Sequence, residues 1–158
     1  MRFEIEPIGH VHAQRTEVED DFWGSTQSTI QLVDTLEPEA LSGLEAFSHV
    51  EVIFVFDQVE AAKIVTGARH PRNNEQWPKI GIFAQRGKNR PNRLGSTICP
   101  VVSIEGRNLI VADLDAIDGT PVIDLKPIMS EFLPRTAVIQ PAWSTELMEQ
   151  YWHDSSTL

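Results

Sequence analysis

Two segments of this chain carry residue types that can do chemistry together. The first, Arg86-Gly87-Lys88-Asn89-Arg90-Pro91-Asn92-Arg93-Leu94-Gly95, sets four cations between glycines and a proline. The second, Asp113-Leu114-Asp115-Ala116-Ile117-Asp118-Gly119-Thr120-Pro121, offers three carboxylates. Guanidinium forks bind carboxylate or phosphate, and Asn92 can cap the turn or hydrogen-bond a ligand. Asp113 and Asp115 share a face if the chain is extended there, and carboxylates accept well from hydroxyls or an ammonium group. A site built from both loops holds a ligand of mixed charge. Asp118-Gly119 by itself signals only a hairpin corner.

The elements that must position these loops read as strands. Phe3 to Glu6 alternates apolar and polar, Ser28 to Val33 does so around Ile30 and Leu32, and Val50 to Phe56 is β-branched and aromatic throughout. Ile80 to Ala84 reads as a short buried strand that runs into the basic loop. Ser96 to Glu105 and Asn108 to Leu114 form a hairpin turning at Glu105-Gly106-Arg107, and Pro121 to Leu125 is a further strand. Between Glu60 and Lys79 lies a long polar connection with two prolines. Glu37 to Gly43 predicts one or two helical turns, with Pro38 at the start and Gly43 as the stop. Ser144 predicts the cap of a C-terminal helix reaching Trp152, with Glu146 in its first turn. Short strands with frequent turn signals predict a mainly β fold, a single-domain barrel over 1–135 with short helical additions. Residues 136–158 form a helical C-terminal extension.

With 158 residues the chain closes one hydrophobic core. The single Cys99 excludes an internal disulfide. No N-terminal run resembles a targeting signal, and Val50 to Phe56 is too short to span a bilayer. A soluble, cytoplasmic protein without membrane partners is expected. The net charge of −10 argues against an anionic partner, but its distribution does not. Between Arg69 and Arg93 stand seven of the thirteen basic residues and one acid, Glu75, a local balance of +6 against −16 elsewhere. Screening over about 8 Å lets a partner feel the patch more than the distant total. The same bases can equally pair with neighbouring acids as a solvated face.

Common frameworks are missing. No G-x-G-x-x-G or P-loop signature occurs. His10 and His12 share a strand face, but no third ligand stands at a recognisable spacing, so no metal site is expected. Cys99 lies between Ile98 and Pro100 in an apolar stretch, where a thiol serves as a small hydrophobe, and no nucleophile elbow is present.

Several longer motifs carry a resemblance. Gly81-Ile82-Phe83-Ala84-Gln85-Arg86, Arg90-Pro91-Asn92-Arg93-Leu94-Gly95 and Leu114-Asp115-Ala116-Ile117-Asp118-Gly119-Thr120-Pro121-Val122-Ile123-Asp124-Leu125-Lys126-Pro127 closely resemble the TsaA-like (TrmO, YaeB) family. Gly43 to His49 matches a further block, and the resemblance covers roughly residues 3 to 132. It implies an S-adenosylmethionine-dependent methyltransferase built on a β-barrel, acting as a homodimer on the threonylcarbamoyladenosine beside the tRNA anticodon. The family's cofactor contacts fall on Asp57, Gln58, Arg86, Ser96, Ala112, Asp113, Leu114 and Asp115. Lys88, Arg90, Asn92 and Arg93 would face the RNA, and Asp118 and Lys126 are candidates for orienting the acceptor nitrogen. Trp23, Trp77 or Trp143 can stack on a splayed base or serve as packing.

The chain departs from the family where Asp57 stands in place of a more common His, where Arg93-Leu94 replaces Pro-Ile, and at both termini. A barrel that binds the cofactor as a non-catalytic sensor, or a methyltransferase for a small molecule or protein, therefore stays open as an alternative.

Overall fold

The computed structural model describes residues 1–155. Six strands close into an antiparallel barrel: β1 (Gly9–His12), β2 (Gln27–Leu32), β3 (His49–Val55), β6 (Leu94–Glu105), β7 (Asn108–Ala112) and β8 (Pro121–Pro127). Around the barrel they run β1-β2-β7-β6-β3-β8, and β8 returns to β1. Two further strands, β4 (Ala68–Arg69) and β5 (Ile80–Gly81), pair outside it.

The period of two decides which residues fill the interior. Val50, Val52 and Phe54 of β3 point inward, as do Ile30 and Leu32 of β2, Leu109 and Val111 of β7, and Val122 of β8. Strand β6 is long enough to serve two partners. Leu94 to Pro100 pairs with β3, and from Val101 onward it pairs with β7. The register shifts between Val101 and Ser103, and again opposite Ile53 and Phe54 on the β3–β8 seam. Such bulges bend strands and let a small sheet close on itself.

Gly95 is where closure leaves least room. It faces Phe54, whose ring meets that of Phe56 edge-on with centroids 5.3 Å apart. A Cβ on Gly95 would lie 2.5 Å from the Phe54 ring and 3.0 Å from that of Phe56. The glycine of the basic motif thus serves close packing at the end of the loop.

The mainly β barrel expected from the strand pattern is present, with several local corrections. Phe3 to Glu6 is exposed coil, and the first strand is Gly9–His12, where Val11 rather than Phe3 or Ile5 enters the core. Alternation alone does not fix which segment finds a partner. Only two residues of Ile80 to Ala84 are extended; Ile82–Ala84 forms a 3-10 turn that buries Ile82. The connection from Glu60 to Lys79 is ordered by 3-10 turns at Ala61–Lys63 and Pro71–Asn73 and by β4. Helix α1 spans Ala142–Leu147, with Pro141 as its cap; Ser144 lies within it and its hydroxyl donates to the Pro141 carbonyl at 2.7 Å. The turn Pro38–Leu41 falls where Pro38 placed it, but a second turn, Leu44–Ala46, begins just past Gly43, which caps its start instead of ending the helical stretch.

Substituting Gly95→Ala should destabilise the barrel by about 1–3 kcal/mol through overpacking against Phe54. Chemical denaturation should show this as a lower midpoint with an unchanged slope.

Candidate cofactor and acceptor site

Asp115 follows β7 on the chain's return toward β8. Its two carboxylate oxygens receive hydroxyls from distant parts of the sequence: Thr97 of β6 donates to Oδ1 and Tyr151 to Oδ2. Thr97 is buried, so Asp115 is anchored directly to the barrel wall. Two residues earlier, Asp113 adopts φ 55°, a left-handed conformation that Asp tolerates better than most residues. Its amide donates to the Thr26 carbonyl at 3.0 Å, which fixes the bend. Its Oδ1 is buried and has no hydrogen-bond partner among the described residues. A buried acceptor without a donor is costly, and a ligand hydroxyl or ammonium would satisfy it.

Both carboxylates act on Cys99, which lies inside the barrel. Burial foremost, then Asp115 and Asp113, push its thiol pKa well above the ordinary value. Tyr151 is shifted the same way, by burial and by Asp115, although Arg86 and Arg72 pull against it. The phenol therefore stays protonated and donates to the carboxylate. Arg86 lies exposed nearby and donates to the Ser96 carbonyl at 2.5 Å, while the Ser96 hydroxyl donates to Glu51 Oε1 at 2.6 Å. Arg86, Ser96, Asp113 and Asp115 are thus linked through β6 and its neighbours, together with Thr97, Glu51 and Tyr151.

The other expected site residues are placed differently. Asp57 and Gln58 are exposed just past β3, and the Asp57 amide donates to the Val55 carbonyl at 2.9 Å. Ala112 ends β7 half-buried, and Leu114 is buried in the core, so only its backbone can meet a ligand. Arg90 donates to the carbonyl of Gln85 at 2.7 Å, and Arg93, at φ 53°, donates to that of Val59 at 2.9 Å. These two guanidiniums tie down their own loop. Lys88 and Asn92 make no hydrogen bond or ion pair with the described residues, and Asn92 is exposed.

Asp118 holds a corner: its Oδ1 accepts the Ala13 amide at 3.0 Å, and its own amide donates to the Arg15 carbonyl at 2.8 Å. Lys126 pairs with Asp124 at 3.1 Å and stands opposite Glu51 in the β3–β8 register. Trp23 is buried beneath the Arg15 guanidinium, 3.8 Å from its ring centre, and serves packing. The Trp77 indole donates to Glu146 at 2.9 Å.

Among the described residues no group of three His, Cys, Asp or Glu is placed to hold a metal ion. A shallow apolar hollow lined by Leu36, Leu41, Leu44 and Phe47 shares no residue with the carboxylate cluster. Thr97 and Tyr151 are the donors to Asp115 that the sequence pattern does not disclose, and nothing local links a C-terminal tyrosine to a carboxylate 36 positions earlier.

The model of the tRNA-methyltransferase O N-terminal domain matches residues 13–132. The chain belongs to this family. It is 36% identical over 102 residues to a human tRNA (adenine(37)-N6)-methyltransferase, a match covering 65% of this chain and 23% of that protein. The enzyme of the same name from Escherichia coli is 36% identical over 104 residues, covering 62% and 44%. A probable S-adenosyl-L-methionine-binding protein of Pyrococcus abyssi is 33% identical over 130 residues, covering 80% and 68%. A crystal structure of TrmO from Pseudomonas aeruginosa superposes with a TM-score of 0.73 at 26% identity, covering 90% of this chain and 62% of that one. The chain therefore spans less than half the length of the two tRNA methyltransferases it matches.

The Cys99 shift has a consequence for stability. A thiol whose pKa is raised on folding contributes stability that is intact below its unfolded value and lost as pH rises beyond it. The melting temperature should fall above about pH 8.5, and the Cys99→Ala variant should show a shallower alkaline decline in calorimetry.

Proposed function

We propose that the protein is an S-adenosylmethionine-dependent methyltransferase that acts on tRNA, N-methylating the modified adenosine (threonylcarbamoyladenosine) beside the anticodon. The observation that carries this reading is the pair Asp113 and Asp115, one with a buried unpaired oxygen, with the Arg86 guanidinium near enough to act on Tyr151, the donor to Asp115. Such a donor set fits a zwitterionic cofactor that has hydroxyls, an ammonium and a carboxylate. The relatives named as tRNA (adenine(37)-N6)-methyltransferases supply the acceptor class.

When bound, the cofactor supplies a methyl group on a sulfonium, already activated for in-line displacement. What the chain must then provide is alignment and exclusion of water, which can lower a barrier without a strong base. Asp113 and Asp115 would accept from the cofactor's hydroxyls or ammonium, and Arg86 would hold its carboxylate. Ser96, Ala112 and Leu114 would shape the wall between them through the backbone, and Asp57 and Gln58, exposed past the end of β3, would join the site only if the bound cofactor extends to them. Arg90 and Arg93 hold the basic loop in shape, which leaves Lys88 and Asn92 to meet the RNA backbone. Asp118 and Lys126 orient the acceptor nitrogen only if the bound RNA reaches their corner and strand.

We also infer a cytoplasmic homodimer. Among the described residues no helix is long and apolar enough to cross a membrane. Every residue from Met129 to Ala142 is exposed, including Phe132 at 85% and Ile139 at 93%, and Ile98 and Val102 are exposed on β6. Large apolar side chains along one exposed segment favour cover by a second copy.

The deciding experiment incubates the purified protein with labelled S-adenosylmethionine and tRNA from cells lacking the gene. Incorporation into adenosine is expected; binding without transfer to RNA, small molecules or proteins would make it a sensor instead. Asp115→Ala should weaken cofactor binding in calorimetry by about tenfold or more, and unchanged affinity would remove Asp115 from the site. Sedimentation equilibrium should return twice the chain mass, with Phe132→Ser and Ile139→Ser together shifting it toward the monomer.

A further inference from the structure

The family match ends at residue 132, yet a group from beyond it reaches the centre of the carboxylate cluster. We propose that the segment from Pro141 to Ser155 forms a wall of the cofactor site, and that Tyr151 is a positioning residue for Asp115. The proposal rests on the reading of Asp115 as a cofactor ligand.

The segment is docked by its backbone. Phe22 and Trp23 donate to the carbonyls of Gln150 and Tyr151 at 3.1 and 2.8 Å. Gly24 donates to that of His153 at 3.1 Å and accepts from Ser155 at 3.1 Å. Gly24 is required for this approach, because a Cβ there would lie 2.1 Å from the Trp152 carbonyl oxygen. The receiving loop is itself fixed, with Arg72 gripping Asp21 through two hydrogen bonds of 2.9 and 3.1 Å. Four bonds in sequence along a rigid loop set the height of the Tyr151 ring.

What that height achieves is the orientation of one carboxylate. Each oxygen of an ionised Asp has two acceptor positions. Thr97 occupies one on Oδ1 and Tyr151 one on Oδ2, so the carboxylate is held from both sides with one position left on each oxygen. That arrangement suits two adjacent donors, the chemistry of a vicinal diol such as a ribose edge. Because the phenol is kept protonated by burial and by Asp115, it donates and does not repel. Removal of its hydroxyl leaves Asp115 tethered by Thr97 alone, free to rotate about its side-chain torsions.

Tyr151→Phe deletes the hydroxyl and retains the ring, while Gly24→Ala disturbs the docking and leaves Tyr151 intact. Isothermal calorimetry with S-adenosylmethionine should show about tenfold weaker binding in Tyr151→Phe, and at least as great a loss in Gly24→Ala. In transfer assays the KM for S-adenosylmethionine should rise while that for tRNA stays at the wild-type value, a split that loss of packing would not produce. Wild-type affinity in both variants would overturn the proposal, as would tighter binding, which would make the segment a competitor for Asp115. Asp115→Ala separates the two levels. A loss there beside unchanged Tyr151→Phe and Gly24→Ala overturns this inference alone, whereas unchanged affinity in Asp115→Ala removes the site reading with it.

Discussion

The Asp115 carboxylate is the point at which the molecule's separate parts meet. It takes a hydroxyl from β6 on one oxygen and a hydroxyl from the C-terminal segment on the other. A half-buried carboxylate needs hydrogen-bond donors in place of the water it gives up. Here the donors come from a barrel strand and from the C-terminal segment, so satisfying one side chain joins the two. The same segment binds the Phe22–Gly24 loop, and that loop is tied by Arg72 to the connection before the basic motif. Position along the chain therefore says little about proximity to the site.

Strain gathers around this junction. Phe22, Ser25, Arg72, Asn73 and Asp113 all have positive φ, a conformation uncommon for residues other than glycine. Each lies in a loop that contacts the junction or leads to it. Conformations of this kind persist only where neighbouring contacts over-determine them. At Asp113 the amide bond to Thr26 does so on one side, and the carboxylate is left with a buried unpaired oxygen. Strain and an unsatisfied acceptor thus coincide on the one residue, which is what the proposed cofactor reading draws on.

The barrel was legible because its signal is periodic. Val50, Val52 and Phe54 alternate with half-exposed partners, and the Glu105-Gly106-Arg107 turn marks its hairpin without tertiary information. The exchange of Phe3–Glu6 for Gly9–His12 as the first strand was not legible, since the choice depends on which segment lies against Leu32 and Val122. The candidate site was legible in part. Two motifs disclosed the carboxylates and the cations, but charge does not reveal direction. Arg90 and Arg93 read as outward donors, and each instead bonds a carbonyl of its own surroundings. Thr97 and Tyr151 carried no signal, because a hydroxyl's role is set by what it faces.

The inward turn of those two arginines bears on how an acidic chain can meet RNA. With a net charge of −10 the long-range field opposes a polyanion, so attraction must arise within a Debye length of the contact, about 8 Å at physiological salt. Arg90 and Arg93 still lend their charge at that range, with one Nη of each committed to a protein carbonyl. On the proposed RNA reading they would raise the local potential, and Lys88 and Asn92, which bond no described residue, would add contacts. Each neutralised phosphate adds roughly 0.9 to the salt slope on a duplex and about 0.7 on a single strand. A loop with so few outward cations thus binds weakly and with shallow salt dependence. An enzyme that must release its product has use for such an interface, provided the acceptor base itself is gripped in the pocket. On that reading the basic loop would guide approach, and selectivity would fall to the walls around Asp113 and Asp115.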